Sequence, residues 1–285
     1  MSHYTVLVIG DDVEAALEPF QQYRSDEPGE YLVFVDREAD LRREYETDGE
    51  GKLVKLANGR VWDGHDPRFF ALAECRFVYP ADAKIVVQKP YRDTYPTFED
   101  FVRAEEDEVG ERDATTGRYG YWENPNGKFD WHRLGGRWKG FFKLKAGTNG
   151  IEGEKSPFVT YPEVSGHAAD SCLVAAIDFE MTASAAADAA LEQWDDAHAE
   201  DTPEVVRKSL GMLGLTREEF GAKAAKRSLG THAVLLNGVW YEREDARTWG
   251  SGRAGVTEEE WVEEVTALVK GLPADTRVSL VDCHR

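Results

Sequence analysis

The sequence has few cysteines, and their placement argues against a disulfide scaffold. Cys75, Cys172 and Cys283 are odd in number and far apart, and no Cys-x-x-Cys pair occurs. Small disulfide-stabilised folds need an even set of closely spaced cysteines. This pattern is typical of a reducing compartment, so we predict a cytoplasmic location, in the host cell if a phage encodes the chain.

Long hydrophobic runs are also absent. The longest apolar stretch near the N-terminus is Thr5–Gly10, and no basic segment precedes it. A transmembrane helix needs about 20 apolar residues and a signal peptide needs a basic start. We therefore expect neither, and no membrane partner.

Positive charge is scarce relative to negative charge. The chain has 34 Lys and Arg against 54 Asp and Glu, a formal net charge of −20. Such a surface repels phosphate backbones, so general nucleic-acid binding is disfavoured. Two interpretations stay open: the acids serve solubility, or they imitate DNA and occupy a DNA-binding protein of the host.

Catalytic and cofactor signatures are missing. Gly10-Asp11-Asp12 follows an apolar run, but neither Gly-x-Gly-x-x-Gly nor a P-loop continues it. The motif therefore indicates an acid that caps a helix, not a nucleotide site. No nucleophile elbow occurs either, and no cofactor is indicated.

The order of predicted elements favours an α+β fold in a single domain over residues 1–285. A strand and a helix open the chain, and a hairpin, a helix and a strand (Arg277–Cys283) close it. This order predicts an antiparallel sheet with helices on one face, of ferredoxin-like type. The Ala-rich segment 180–230 is expected to form a helical insertion.

Local signals predict several individual elements. Asn237-Gly238 between apolar runs indicates a hairpin. Thr216 with Glu219, and Thr257 with Glu260, are capping boxes that begin helices. A helix is also predicted over Phe98–Val109, and a strand over Arg137–Lys145 with Trp138 pointing into the core.

The most unusual stretch is Tyr119–Lys145, which holds eight aromatic residues and six Lys or Arg. Aromatic rings stack on flat groups, Arg binds anions, and paired glycines let backbone N–H groups approach a phosphate. Two interpretations stay open, a hydrophobic core and a ligand site, and alternate strand residues allow both. The predicted ligand-binding residues are Trp131, His132, Arg133, Gly135, Gly136, Arg137 and Trp138.

The chain termini suggest a second candidate site. If the first and last strands are antiparallel neighbours, His3 approaches Asp282 and His284. Two imidazoles and a carboxylate are suitable ligands for a transition metal. Polar strand ends without a metal are the alternative.

Three segments together resemble a family of uncharacterised proteins encoded by bacteriophages and actinobacteria. They are GYWENPNGKFDWHRLGGRWKGFF and the ends HYTVLVIGDD and VSLVDCH. The Gly-Gly-Arg-Trp stretch is more weakly similar to phage proteins with a ferredoxin-like domain. The resemblance implies a phage or prophage context and no particular chemistry.

These observations lead to three hypotheses. The first is a phage-type accessory protein that binds without catalysis, holding a small anionic, nucleotide-like ligand or a host protein, in a counter-defence role. The second is a metal-dependent hydrolase that uses His3, Asp282 and His284. The third is an acidic DNA mimic that inhibits a host DNA-binding protein.

Overall fold

A computed structural model of the chain describes residues 3–25, 27–71, 76–104, 112–153, 167–199, 203–212, 214–243 and 256–285. Cys75 and residues 105–109 of the helix predicted over Phe98–Val109 lie outside these ranges. Contacts divide the chain into two compact units. The first unit joins residues 1–22 to 126–285, and the second unit is 23–125. The sequence predicted one domain over residues 1–285 and did not indicate this division into two units.

The strands, in chain order, are β1 His3–Ile9, β2 Arg24–Ser25, β3 Val33–Asp36, β4 Gly49–Lys55, β5 Val61–Asp63, β6 Phe70–Ala71, β7 Arg76–Phe77, β8 Lys84–Pro90, β9 Gly120–Glu123, β10 Trp131–Leu134, β11 Phe142–Lys143, β12 Gly150–Ile151, β13 Ala168–Ala169, β14 Ser171–Leu173, β15 Ala233–Leu236, β16 Val239–Glu242 and β17 Arg277–His284. The α-helices are α1 Val13–Leu17, α2 Glu38–Thr47, α3 Tyr91–Thr94, α4 Phe98–Ala104, α5 Phe179–Ala197, α6 Glu204–Ser209, α7 Arg217–Lys226 and α8 Glu258–Gly271.

The first unit is built on a mixed sheet in the order β12-β14-β17-β1-β15-β16. β17 is antiparallel to β1, the arrangement on which the predicted metal site depends. β15 is parallel to β1 and forms the predicted hairpin with β16. The α+β class is therefore confirmed, whereas this strand order does not confirm a ferredoxin-like sheet.

Side chains of β1 alternate between two apolar clusters because successive strand residues point to opposite faces. Leu7 belongs to the cluster that contains Trp261 and Val265 of α8. Val6 and Val8 belong to the other cluster, with Leu17 of α1. Helices therefore cover both faces of the sheet, not one.

The predicted helical segment 180–230 is present as α5, α6 and α7, between β14 and β15. The capping box of Thr216 and Glu219 begins α7, and that of Thr257 and Glu260 begins α8. No helix in the described ranges is long and apolar enough to cross a membrane.

The second unit contains small antiparallel sheets, in the orders β5-β4-β8, β2-β9-β3 and β6-β7. Its main apolar cluster joins Leu41 of α2 to Phe98, Phe101 and Val102 of α4. Most residues of α2 are charged, and Leu41 is its buried side chain. Leu41 and the partly buried Tyr45 lie on the inner face of this helix and pack against α4.

Candidate functional site

Strand pairing brings three aromatic side chains together at one end of the sheet. His284 of β17 lies opposite His3 of β1 on one side and opposite Trp131 of β10 on the other. Directly opposed residues of an antiparallel pair project from the same face. His3, Trp131 and His284 therefore form one group, which we name the ring cluster.

The rings of this cluster are in contact. Trp131 stacks on His284 with 5.1 Å between ring centroids and 14° between ring planes. His3 meets the same imidazole edge-on, with centroids 4.9 Å apart. Trp131 is nevertheless 40% exposed, so much of its indole faces solvent.

A carboxylate orients each imidazole through Nδ1. The Nδ1 atom of His3 is 2.8 Å from Asp282 Oδ1, and that of His284 is 2.9 Å from Asp130 Oδ1. Each Nδ1 therefore carries the proton, which leaves Nε2 as the reactive nitrogen. Among the described residues, neither Nε2 atom has a hydrogen-bond partner.

The two carboxylates differ in environment. Asp282 is buried, with 1% exposure, whereas the Asp130 side chain is about half exposed. Partial burial raises the pKa of Asp130, but hydrogen bonds from His284 and from the Trp131 N–H outweigh it and lower the pKa below its usual value. Asp130 is therefore an anion beside His284.

The two glycines that follow β10 lie in close contact with two buried carboxylates, those of Asp170 and Asp282. A Cβ on Gly135 would lie 2.4 Å from the Asp170 carboxyl, and one on Gly136 would lie 2.4 Å from Asp282. Asp282 Oδ2 accepts a hydrogen bond from the Arg137 N–H at 2.9 Å. The close approach that the sequence suggested for a phosphate is thus made by the protein's own aspartates.

Asp170 fixes the loop that follows. It is fully buried and accepts hydrogen bonds from the backbone N–H groups of Gly140 at 2.5 Å and Gly153 at 2.8 Å. Burial raises the pKa of Asp170, and these hydrogen bonds act in the opposite direction. The carboxyl holds residues 135–153 around it.

The remaining residues predicted to bind a ligand lie in different places. Arg133 lies opposite Asp282 in the register of β10 and β17, on the same face as Trp131. His132 projects from the other face, where its Nε2 atom is 3.1 Å from Glu14. Arg137 is exposed, and its guanidinium makes no ion pair or hydrogen bond within the described ranges.

The predicted strand Arg137–Lys145 is wrong in most of its length. Residues 136–138 form a 3-10 turn, and only Phe142–Lys143 is a strand. Trp138 was expected in the core but is 36% exposed. The positive φ angles of Gly135 and Gly136 turn the chain out of the sheet before Trp138.

The metal-ligand prediction is right about proximity: His3, Asp282 and His284 are neighbours. However, no group of three or more His, Cys, Asp or Glu side chains in the described ranges has an arrangement that could hold a metal ion. The Nδ1 atoms of the two histidines already contact different carboxylates.

Sequence reasoning missed Asp130 and Asp170. Asp130 directly precedes Trp131, so a carboxylate inside the aromatic block was the available signal. Asp170 lies between small residues in Ala-Ala-Asp-Ser, and nothing local marks it as buried.

In comparisons with protein-family models, curated proteins and solved structures, nothing matches this chain. The resemblance to phage and actinobacterial proteins stays a prediction.

Proposed function

We propose that the chain is a binding protein whose ring cluster holds a small anionic ligand that carries an aromatic group, such as a nucleotide. The observation that carries the proposal is the half-exposed indole of Trp131 on a layer of two imidazoles. An exposed indole offers a flat surface on which a nucleobase or similar ring stacks.

Hydrogen-bond donors for the anionic group are near the same rings. When protonated, His3 and His284 donate through Nε2, the nitrogen that has no partner among the described residues. Arg137 adds an exposed guanidinium, and its backbone N–H bonds to the carboxylate that orients His3. Guanidinium groups bind phosphate or carboxylate through paired N–H donors.

The net charge limits the size of the ligand. A polyanion would extend beyond the ring cluster over a surface with net charge −20 and would be repelled. A ligand with one or two charged groups interacts mainly with the local donors, because salt screens more distant charges over about 8 Å.

The test is a panel of nucleotides, their nucleosides and inorganic phosphate, measured by thermal shift and calorimetry. A nucleotide is expected to raise the melting temperature, and Trp131→Ala to weaken its binding about tenfold, since stacking contributes roughly 1–3 kcal/mol per base. Arg137→Ala should weaken the nucleotide but not the nucleoside.

Trp138→Ala is the matched control, because Trp138 is about as exposed as Trp131 and lies outside the ring cluster. It should bind nucleotide within twofold of the wild type. The proposal is wrong if no ligand of the panel binds, or if Trp131→Ala and Arg137→Ala bind as the wild type does. A host protein that Trp131→Ala no longer binds, with no nucleotide effect, would favour a protein partner.

A hydrolase at the same residues is the second candidate. It is favoured by the two adjacent His–carboxylate pairs, since an imidazole held through Nδ1 presents Nε2 for acid–base catalysis. Hydrolysis of a phosphoester panel that is lost in His284→Gln would support it. Stoichiometric metal in the purified protein, with loss of activity on chelation, would favour the metal-dependent form. A chain that hydrolyses no ester of the panel would exclude the hydrolase.

The hypothesis that the chain is an acidic DNA mimic stays a prediction.

A further inference from the structure

A large groove in the first unit lies apart from the ring cluster. It has a volume of about 990 Å³ and runs between α5, α7 and residues 138–143. His3, Trp131 and His284 are not among the residues that line it. Its volume is at the upper end of the range of small-molecule sites, about 300–1,000 Å³.

One wall of the groove contains a buried amine. Lys143 is only 7% exposed and lines the groove. Its Nζ atom donates one hydrogen bond, to the Gly140 carbonyl at 2.9 Å. An ammonium has three N–H donors, and within the described ranges the other two have no partner and no carboxylate forms an ion pair with Nζ.

This environment favours an anionic ligand. Burial lowers the pKa of Lys143, and the more distant Asp170 opposes this shift. A buried cation that has no carboxylate in direct contact is costly. An anion that enters the groove would remove this cost, because it would accept the unused hydrogen bonds.

The other walls are suited to an apolar group. Met181, Ala185 and Ala189 follow each other at four-residue spacing on one face of α5, and all three line the groove. Met181 is 46% exposed, and Trp138, which is 36% exposed, also lines the groove. Small alanines leave room for a ligand, and a flexible thioether and an aromatic ring offer it apolar contacts.

The charges along the groove indicate an anion of single charge. Asp188 and Glu192 also line it, against one exposed ammonium, that of Lys223, so a multiply charged anion would be repelled more than a singly charged one. Arg227, which lines the groove as well, is paired with Glu258. Lys143 is thus the buried cation available to balance one carboxylate.

We propose that this groove binds a small carboxylate with an apolar tail, whose carboxylate accepts hydrogen bonds from Lys143 Nζ while the tail packs against Trp138, Met181 and the alanines of α5. The site does not depend on the function of the ring cluster. A phosphate ester and a second copy of the chain are the other occupants that the test distinguishes.

The experiment titrates the full chain with 2-naphthoate and with octanoate, each beside its uncharged amide, and follows tryptophan fluorescence and heat. Each carboxylate is expected to bind at least tenfold more tightly than its amide. Lys143→Met should remove this preference. Lys145→Met is the matched control, since Lys145 is an exposed lysine two residues on that also donates to a backbone carbonyl; its preference should stay within twofold of the wild type.

A second variant guards against misfolding of Lys143→Met. Ala189→Trp adds an indole to an exposed position of the groove and leaves Lys143 in place, so it should abolish binding with little change in melting temperature. The proposal is wrong if acid and amide bind equally, if neither binds, or if naphthyl phosphate binds more tightly than naphthoate. It is also wrong if the groove buries a second copy of the chain, seen as self-association that Ala189→Trp prevents.

Discussion

At the residue scale, buried aspartates decide the geometry of the candidate site. Asp282 accepts a hydrogen bond from the Arg137 N–H and contacts His3 through its other oxygen. Asp170 accepts a hydrogen bond from the Gly140 N–H through one oxygen and from the Gly153 N–H through the other. Because a buried carboxylate without donors is costly, the loop must stay close to both aspartates.

Gly136→Ala is expected to destabilise the protein by about 3 kcal/mol. Gly136 has φ +51°, and a Cβ there would lie 2.4 Å from the Asp282 side chain. The left-handed backbone costs an L-residue about 1 kcal/mol and overpacking costs a further 1–3 kcal/mol. Denaturant unfolding measures the loss.

Gly147→Ala separates the two causes. Gly147 also has positive φ (+78°), but no atom of the described residues lies within 4 Å of its Cβ position. This variant should lose only about 1 kcal/mol. Equal losses in the two variants would show that contact with Asp282 is not what requires glycine at position 136.

At the element scale, two threonines of α8 and its cap differ in whether their hydroxyl groups form hydrogen bonds. Thr257 caps the helix: its hydroxyl accepts a hydrogen bond from the Glu260 N–H at 3.2 Å. Thr266 is in the same helix, but its buried hydroxyl has no hydrogen-bond partner among the described residues. The helix buries Trp261, Val265 and Val269 in the core of the first unit, so changes in it should alter the stability of that unit.

Thr→Val at these two positions should therefore have opposite effects. Thr266→Val keeps the shape and removes an unsatisfied buried hydroxyl, so we expect a gain of about 1 kcal/mol. Thr257→Val removes the cap and should lose about 1 kcal/mol. Melting curves of both variants check this; a loss at Thr266→Val would mean that its hydroxyl does form a hydrogen bond.

At the scale of the whole molecule, the two points at which the chain leaves and re-enters the first unit lie next to each other. The Gln22 N–H donates to the Phe129 carbonyl at 2.6 Å, and the Lys128 N–H donates to the Phe20 carbonyl at 2.7 Å. The second unit, residues 23–125, is thus connected through two adjacent chain ends. Insertions of this kind are tolerated where the ends lie close together.

Replacement of residues 23–125 by a short Gly/Ser linker should therefore give a folded protein. Both apolar clusters of the sheet belong to the first unit, so a cooperative thermal transition by circular dichroism is expected. A deletion that starts at residue 17 is the control, because it also removes the buried Leu17 and should unfold. A non-cooperative transition in the first variant would contradict the independence of the unit.

Local signals in the sequence were sufficient for several elements. Capping boxes of α7 and α8, the Asn237-Gly238 hairpin and the terminal strands are confirmed. In each, the decisive hydrogen bonds or apolar alternation involve residues a few positions apart, so the pattern alone contains the information.

Long-range strand pairing decided the structure of the aromatic block around β10. Trp131–Leu134 has no apolar alternation, and it becomes strand β10 because its backbone groups pair with the outer edge of β17. Trp138 is exposed because two glycines turn the chain away from that edge.

By itself, the sequence determined that the chain has an α+β fold and that β1 and β17 are strands, since apolar runs and caps act locally. The tertiary structure alone decided the two candidate sites. His3, Trp131 and His284 meet only through the register of three strands. Lys143 lines a groove only because residues of α5 and α7 form the other walls. Burial and proximity of this kind arise from contacts between distant segments, which no local pattern encodes.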